Sequence, residues 1–388
     1  MNNIPRTLIT LLTLSASFMV NATNGLFPAG YGIVSHGMGG AGVANAGEAM
    51  SMVDNPGLIS RLGNMVGISG HYYAPKLSAS VAGQYVDSEI DNTFTPQIAA
   101  THIINEQFSW GIAFTLLGGA GSDFPATLVG ERAGVLAGGV ILSPSIGYKI
   151  NDHSTLGLSL QYIYEEIETD GFTGGFGDNK GNANGYGFKL GYVYDISEAT
   201  SVAATYQSES DIGEIEEHCT GTGIYALYKQ SGGDCSFNLP EVISIGANHQ
   251  LQPNMKLQLD IQHINWEGVG ILKDLSGWEN RWVYKLGAEY MPSSIIALRA
   301  GYNYSKTPLA RNRVADNIFA GGVIQHHYTL GASYDYKKTY LLSVYYSHGA
   351  ENTLEQSGAV SNPALSPLSN SKIKMSEQVI GLGVDYKF

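Results

Sequence analysis

The sequence predicts an all-β fold: a transmembrane antiparallel β-barrel of 14 strands with an N-terminal plug in its lumen. Three observations carry this. From about residue 65 onward, apolar and polar residues alternate with period two. The connections between the alternating runs are short and long in turn. Charged residues make up only 14% of the chain, against about 25% in ordinary globular domains. Each strand of a membrane barrel sets lipid-facing apolar residues against polar or small lumen-facing ones, so the averages cancel toward neutral hydropathy.

The chain opens with the marks of a secretory signal. Arg6 supplies a positive start, Thr7 to Val20 is mostly apolar, and Val20-Asn21-Ala22 offers a small-residue cleavage site. Residues 1–22 are therefore read as a signal peptide and the mature chain as starting near Thr23. No later stretch is apolar for long enough to be a spanning helix.

Residues 23–64 do not alternate and are rich in Gly and Ala. A piece this short holds no core of its own, and irregular backbone cannot lie bare in lipid. Fourteen strands enclose a bore too wide for side chains alone to fill, so the segment is expected inside it as a plug.

Residues 65–388 form the predicted barrel. Met255-Lys256-Leu257-Gln258-Leu259-Asp260-Ile261-Gln262 is the clearest run, with apolar residues on one face and polar residues on the other. Thirteen similar runs lie near 65–76, 96–105, 107–117, 140–150, 154–168, 185–196, 199–212, 240–251, 281–292, 294–305, 325–337, 338–350 and 376–388. An even count returns both ends of the sheet to the periplasmic side. Alternation points Lys149, Lys189, Lys256, Lys285, Arg299, Asp195, Asp260, Glu289, Asp335 and Asp385 inward, where they are expected to tie wall to plug. Tyrosine pairs such as Tyr72-Tyr73, Tyr192 with Tyr194, and Tyr345-Tyr346 are read as interfacial girdles. The final strand ends on Phe388, a terminal aromatic of the kind read by the outer-membrane assembly machinery.

The net charge of −13 and the lack of a basic stretch exclude nucleic acid as a partner. The acids Glu165, Glu166, Glu168 and Asp170 are read as a solvated outer loop, with divalent bridging to lipopolysaccharide as the sharper alternative. Cys219 and Cys235 share one predicted loop of an exported chain and are expected to form a disulfide; no set of ligands with metal spacing accompanies them. His326-His327 point to opposite faces and are expected at the rim rather than on an ion. Gly37-x-Gly39-x-x-Gly42 fits a dinucleotide fingerprint formally, but it lacks the preceding strand of a βαβ unit, so no cofactor is expected. No nucleophile elbow or Ser/His/Asp set suggests an enzyme.

The plug segment carries a family resemblance. Gly37-Met38-Gly39-Gly40-Ala41-Gly42-Val43-Ala44, followed by Asp54-Asn55-Pro56-Gly57-Leu58, resembles the hatch of the FadL and toluene-transporter family. The Asn-Pro-Ala pattern of that hatch stands here as Asn55-Pro56-Gly57, with its third residue changed. Gln107-Phe108-Ser109-Trp110-Gly111, Leu239-Pro240-Glu241, Trp266 and Pro308 to Arg313 extend the resemblance over the mature chain.

The resemblance implies passive transport of long-chain fatty acids or hydrocarbons across the bacterial outer membrane, by a monomer set in lipid and lipopolysaccharide. It further implies capture among outer loops, gating by the hatch N-terminus, and sideways exit at a kink in the third strand. That strand runs here into Gly118, Gly119, Ala120 and Gly121. Leu26 and Phe27, the loop residues Phe124, Leu128, Val129, Val135 and Leu136, and Phe319 in a second loop are apolar candidates for substrate contact, and Arg132, Arg281, Arg311 and Arg313 the candidates for a carboxylate. A general diffusion porin and an adhesin or structural barrel remain the competing readings.

Overall fold

The computed structural model describes residues 24–81, 83–90, 92–171, 179–220, 223–360 and 368–388. The expected signal peptide and Thr23 lie outside the described residues.

Among the described residues there are sixteen strands: β1 (Met65–Val81), β2 (Gln84–Asp87), β3 (Thr93–Ile103), β4 (Phe108–Phe124), β5 (Ala133–Asn151), β6 (Ser154–Asp170), β7 (Asn179–Ser197), β8 (Thr200–Gln207), β9 (Asp211–Ile212), β10 (Val242–Gln252), β11 (Met255–Ile264), β12 (Arg281–Ser293), β13 (Ile296–Ser305), β14 (His326–Tyr336), β15 (Tyr340–Glu355) and β16 (Lys372–Lys387). β2 and β9 are short side pairings, on β1 and β7. The other fourteen pair antiparallel in chain order, and β16 returns to β1 from Met65↔Lys387 to Ser80↔Lys372. The sheet therefore closes into a barrel.

Period two decides which residues meet the bilayer. Along β6, Leu156 and Leu160 are exposed on the outer face, while Thr155, Ser159 and Gln161 are buried inside. Along β16, Ile380 and Leu382 face out and Asp385 faces in. The tyrosine expectation splits for the same reason. Tyr72 and Tyr346 are exposed outside, but their neighbours Tyr73 and Tyr345 are buried within the bore and form no girdle. His326 likewise lies outside with its ring against Tyr304 at 5.0 Å, whereas His327 is buried inside, so the rim reading holds for the first of the pair and not the second.

The segment before β1 contacts the wall on opposite sides. Its first helix, Gly32–Gly37, packs on β13 to β16; the 3-10 turn Pro56–Leu58 packs on β5 to β7; the short helix Ile59–Leu62 packs on β3 to β5. Contacts with both sides of a closed wall are made from within it. The inward charges hold this segment, mostly by its backbone. Asp260 accepts from Gly42 N at 2.7 Å and Val43 N at 2.9 Å, and Asp385 accepts from Ala49 N at 2.8 Å. Lys189 Nζ donates to Val53 O at 2.9 Å, and Lys256 Nζ to Asn45 Oδ1 at 3.0 Å. Lys149 departs from this pattern: it pairs with Asp152 in the turn after β5.

Two glycines show why the segment needs its composition. At Gly40, with φ +80°, a Cβ would lie 1.9 Å from Ala29 O; at Gly39, with φ +71°, it would lie 2.6 Å from Tyr302 N. Asn55 braces the turn that follows. Its Oδ1 accepts from Gly57 N at 2.8 Å and its Nδ2 donates to Val43 O at 2.8 Å. Gly57 abuts Gly191 of the wall, where an added Cβ would stand 3.0 Å from Gly191 O.

Several strands run further than the alternation alone predicts. β4 continues to Phe124 and β5 begins at Ala133, so Phe124, Val135 and Leu136 are strand residues rather than loop residues. β6 extends to Asp170, which corrects the reading of the four acids as one solvated loop. Glu166 and Glu168 do point outward, each 2.9 Å from Lys180, but Glu165 points inward and is buried.

Candidate functional site

Among the described residues, the ladder between β3 and β4 is cut short. β3 and β4 are paired only from Ile103↔Ser109 to Ile98↔Phe114, while β4 itself runs on to Phe124. On its other side β4 pairs with β5 throughout, except for a register shift between Leu117 and Ala120. The shift falls on Gly118-Gly119. The strand end predicted at these glycines is thus a bulge inside a longer strand, because pairing with β5 resumes at Ala120 and continues through Gly121 to Phe124. Backbone crowds both glycines: a Cβ at Gly118 would meet Leu26 O at 1.7 Å, and one at Gly119 would meet Ala137 O at 2.0 Å. The start of the plug therefore lies directly against the bulge.

Behind the bulge is a cavity of about 100 Å³. Leu26 of the plug, Leu117, Gly118 and Gly119 of β4, Ala137 of β5, and Glu165 and Ile167 of β6 form one side. Phe237 and Leu239, Ile271, Leu272 and Trp278, and Phe319 come from three long outer connections and form the other. These connections hold together as a hydrophobic cluster: Trp278 meets Trp266 edge-on at 4.8 Å, and Phe319 meets Phe124 at 6.1 Å. The Cys219–Cys235 disulfide closes the connection that carries Phe237 and Leu239. No charge distribution in the sequence marked Trp278, Ile271 or Leu239 for this site; only the folded connections bring them together.

The residues singled out from the sequence divide clearly. Leu26, Phe319, Gly118 and Gly119 line the cavity. Phe27 packs one layer back, its ring 5.4 Å from Trp266. Phe124 and Leu128 are buried in the surrounding cluster, outside the lining. Arg132 is held at the outer surface by Asp123 and by Glu89 at 2.8 Å. The hydrogen bond and charge of Asp123, then Glu89, raise its pKa above the usual arginine value. Arg313 turns away, donating to Asp274 O at 2.6 Å. Among the described residues, the lining contains no lysine or arginine, and its two acids are Glu165 and Asp316.

A closed barrel with a lipid-facing apolar belt, a filled bore and an apolar cavity beside a gap in the wall defines an outer-membrane transport protein for hydrophobic compounds. The chain belongs to the family described as outer membrane protein transport protein (OMPP1/FadL/TodX), whose model matches residues 6–388. It is 22% identical to the long-chain fatty acid transport protein of Salmonella typhi, over 79% of this chain and 85% of that one. It is 20% identical to outer membrane protein P1 of Haemophilus influenzae, over 97% and 99% of the two chains. Among solved structures, the Pseudomonas putida toluene transporter TodX superposes with a TM-score of 0.71 at 14% identity, covering 93% of this chain and 99% of its own. The Ralstonia pickettii toluene transporter TbuX gives 0.69 at 17% identity, with the same coverage of 93% and 99%.

Proposed function

We propose that this chain takes small, uncharged hydrophobic molecules of single-ring size from the outer surface into the cavity. It then releases them sideways through the β3–β4 gap into the bilayer. The observation that carries the proposal is the cavity's position. Its wall includes Leu26, Gly118 and Gly119, so plug, bulge and gap meet at one point. An apolar solute leaving there passes straight into hydrocarbon without crossing a watery bore.

Size and charge favour an aromatic hydrocarbon over a fatty acid. The volume of about 100 Å³ is of the order of the roughly 150 Å³ that accommodates benzene. A carboxylate entering the cavity would find acids and no cation. Gating belongs to the plug: displacement of Leu26 uncovers Gly118 and opens the route. The bore of a single chain is filled by its own N-terminal segment, so a monomer suffices.

Uptake of labelled toluene by cells carrying the chain and by matched cells lacking it tests this reading. Saturable uptake that depends on the chain is expected. Equal toluene uptake in both, with entry of small sugars gained instead, would assign the chain to the general porins.

A further inference from the structure

We propose that Glu165 selects the occupant of the cavity, favouring single-ring aromatics that carry a hydrogen-bond-donating head, a hydroxyl or an amine, over plain hydrocarbons and over carboxylates. The inference rests on the transport reading above and names its substrate class.

Glu165 is 4% exposed and lines the cavity, yet its Oε1 is buried without a hydrogen-bond partner among the described residues. The sheet itself leaves it alone. Its cross-strand neighbours are Gly139 on β5 and Ala183 on β7, neither of which has a polar side chain. Along its own strand the flanking inward residues are Ile163 and Ile167, both buried.

Three other polar side chains at the cavity have partners within the protein. Asn317 Oδ1 accepts from Trp278 Nε1 at 2.8 Å, and its Nδ2 donates to Ser276 O and Arg313 O, each at 2.7 Å. Asn238 Oδ1 accepts from Ile212 N at 2.9 Å, and its Nδ2 donates to Glu209 at 3.2 Å. Asp316 has Arg313 within 3.8 Å. Unlike Asp316, Glu165 has no cation paired with it among the described residues, so its carboxyl is the acceptor left open to an occupant's donor. A buried carboxyl without partners is costly, so a ligand that donates to it gains what the empty site lacks. A ligand carboxylate brings a charge that no lysine or arginine of the lining offsets, and a methyl group leaves the deficit in place.

Equilibrium binding of toluene, p-cresol, p-toluidine and p-toluate to the purified full chain in detergent tests the proposal, with Glu165→Leu and Glu165→Gln variants alongside. In the wild type, p-cresol or the amine is expected to bind about tenfold more tightly than toluene, the scale of one buried hydrogen bond. p-Toluate should be weakest. Glu165→Leu should erase that advantage, with a folded, heat-modifiable band on electrophoresis showing that the barrel is intact. Glu165→Gln keeps an acceptor and should retain part of the preference. An unchanged cresol-to-toluene ratio in Glu165→Leu, or p-toluate binding as tightly as p-cresol, would overturn the role of Glu165 while leaving the transport reading intact. If none of the four ligands binds the wild type, the transport reading falls instead.

Discussion

Asp260 shows what a single inward residue does in this barrel. It is 1% exposed, accepts two backbone hydrogen bonds from Gly42 and Val43, and stands opposite Lys285 across the β11–β12 ladder. Asp260→Ala would leave two buried amides without their acceptor and the buried Lys285 without the carboxylate that faces it. Removing one partner from such a set costs about 3 kcal/mol or more, so the urea midpoint of the micelle-held barrel should fall accordingly. Stability equal to wild type would mean that the plug is not anchored there. The inward orientation of Asp260, Lys285, Glu289 and Arg299 was legible in the sequence, because a period of two fixes the face. Their partners were not: Asp260 and Gly42 are 218 positions apart, and nothing local encodes that contact. Glu165 was misread for a related reason. With its strand taken to stop at residue 168 and its acidic neighbours exposed, it looked like one more solvated charge, whereas continued pairing of β6 with β5 to Asp170 places it on the buried face.

At the scale of the element, the informative feature is the mismatch between β3 and β4. β3 holds eleven residues and β4 seventeen, so part of β4 has no neighbour on that side. Glycine at 118 and 119 allows the bulge, because any larger residue would strike the backbone of Leu26 or Ala137. The sequence marked these glycines as a weak point; it could not show that pairing resumes beyond them, since resumption depends on β5. Gly118→Leu should reduce toluene uptake to the level of cells lacking the chain, while the protein remains a folded, heat-modifiable band on electrophoresis. Normal uptake by a folded Gly118→Leu protein would place the exit elsewhere. The outer connections were the least legible elements. Their apolar residues were recognisable as a group, but the packing of Trp278, Phe319 and Leu239 around one cavity arises from three connections far apart in sequence.

For the whole molecule, alternation and the rhythm of short and long connections were enough to count fourteen strands and close them, because those signals follow from the bilayer itself. The same logic explains why the bore must be filled. A wall of this circumference would otherwise enclose water, and water-filled bores pass ions and small polar solutes. Here residues 24–64 contact the inner wall on opposite sides and are tied to it by Asp260, Asp385, Lys189 and Lys256. On the reading proposed above, this chain closes its own bore and moves hydrophobic molecules by a path through the wall. Single-channel recording of the full chain in planar bilayers tests it most directly. The account predicts a current close to that of the bare bilayer, without stepwise openings; large, stable, ion-conducting steps like those of an open porin would contradict it.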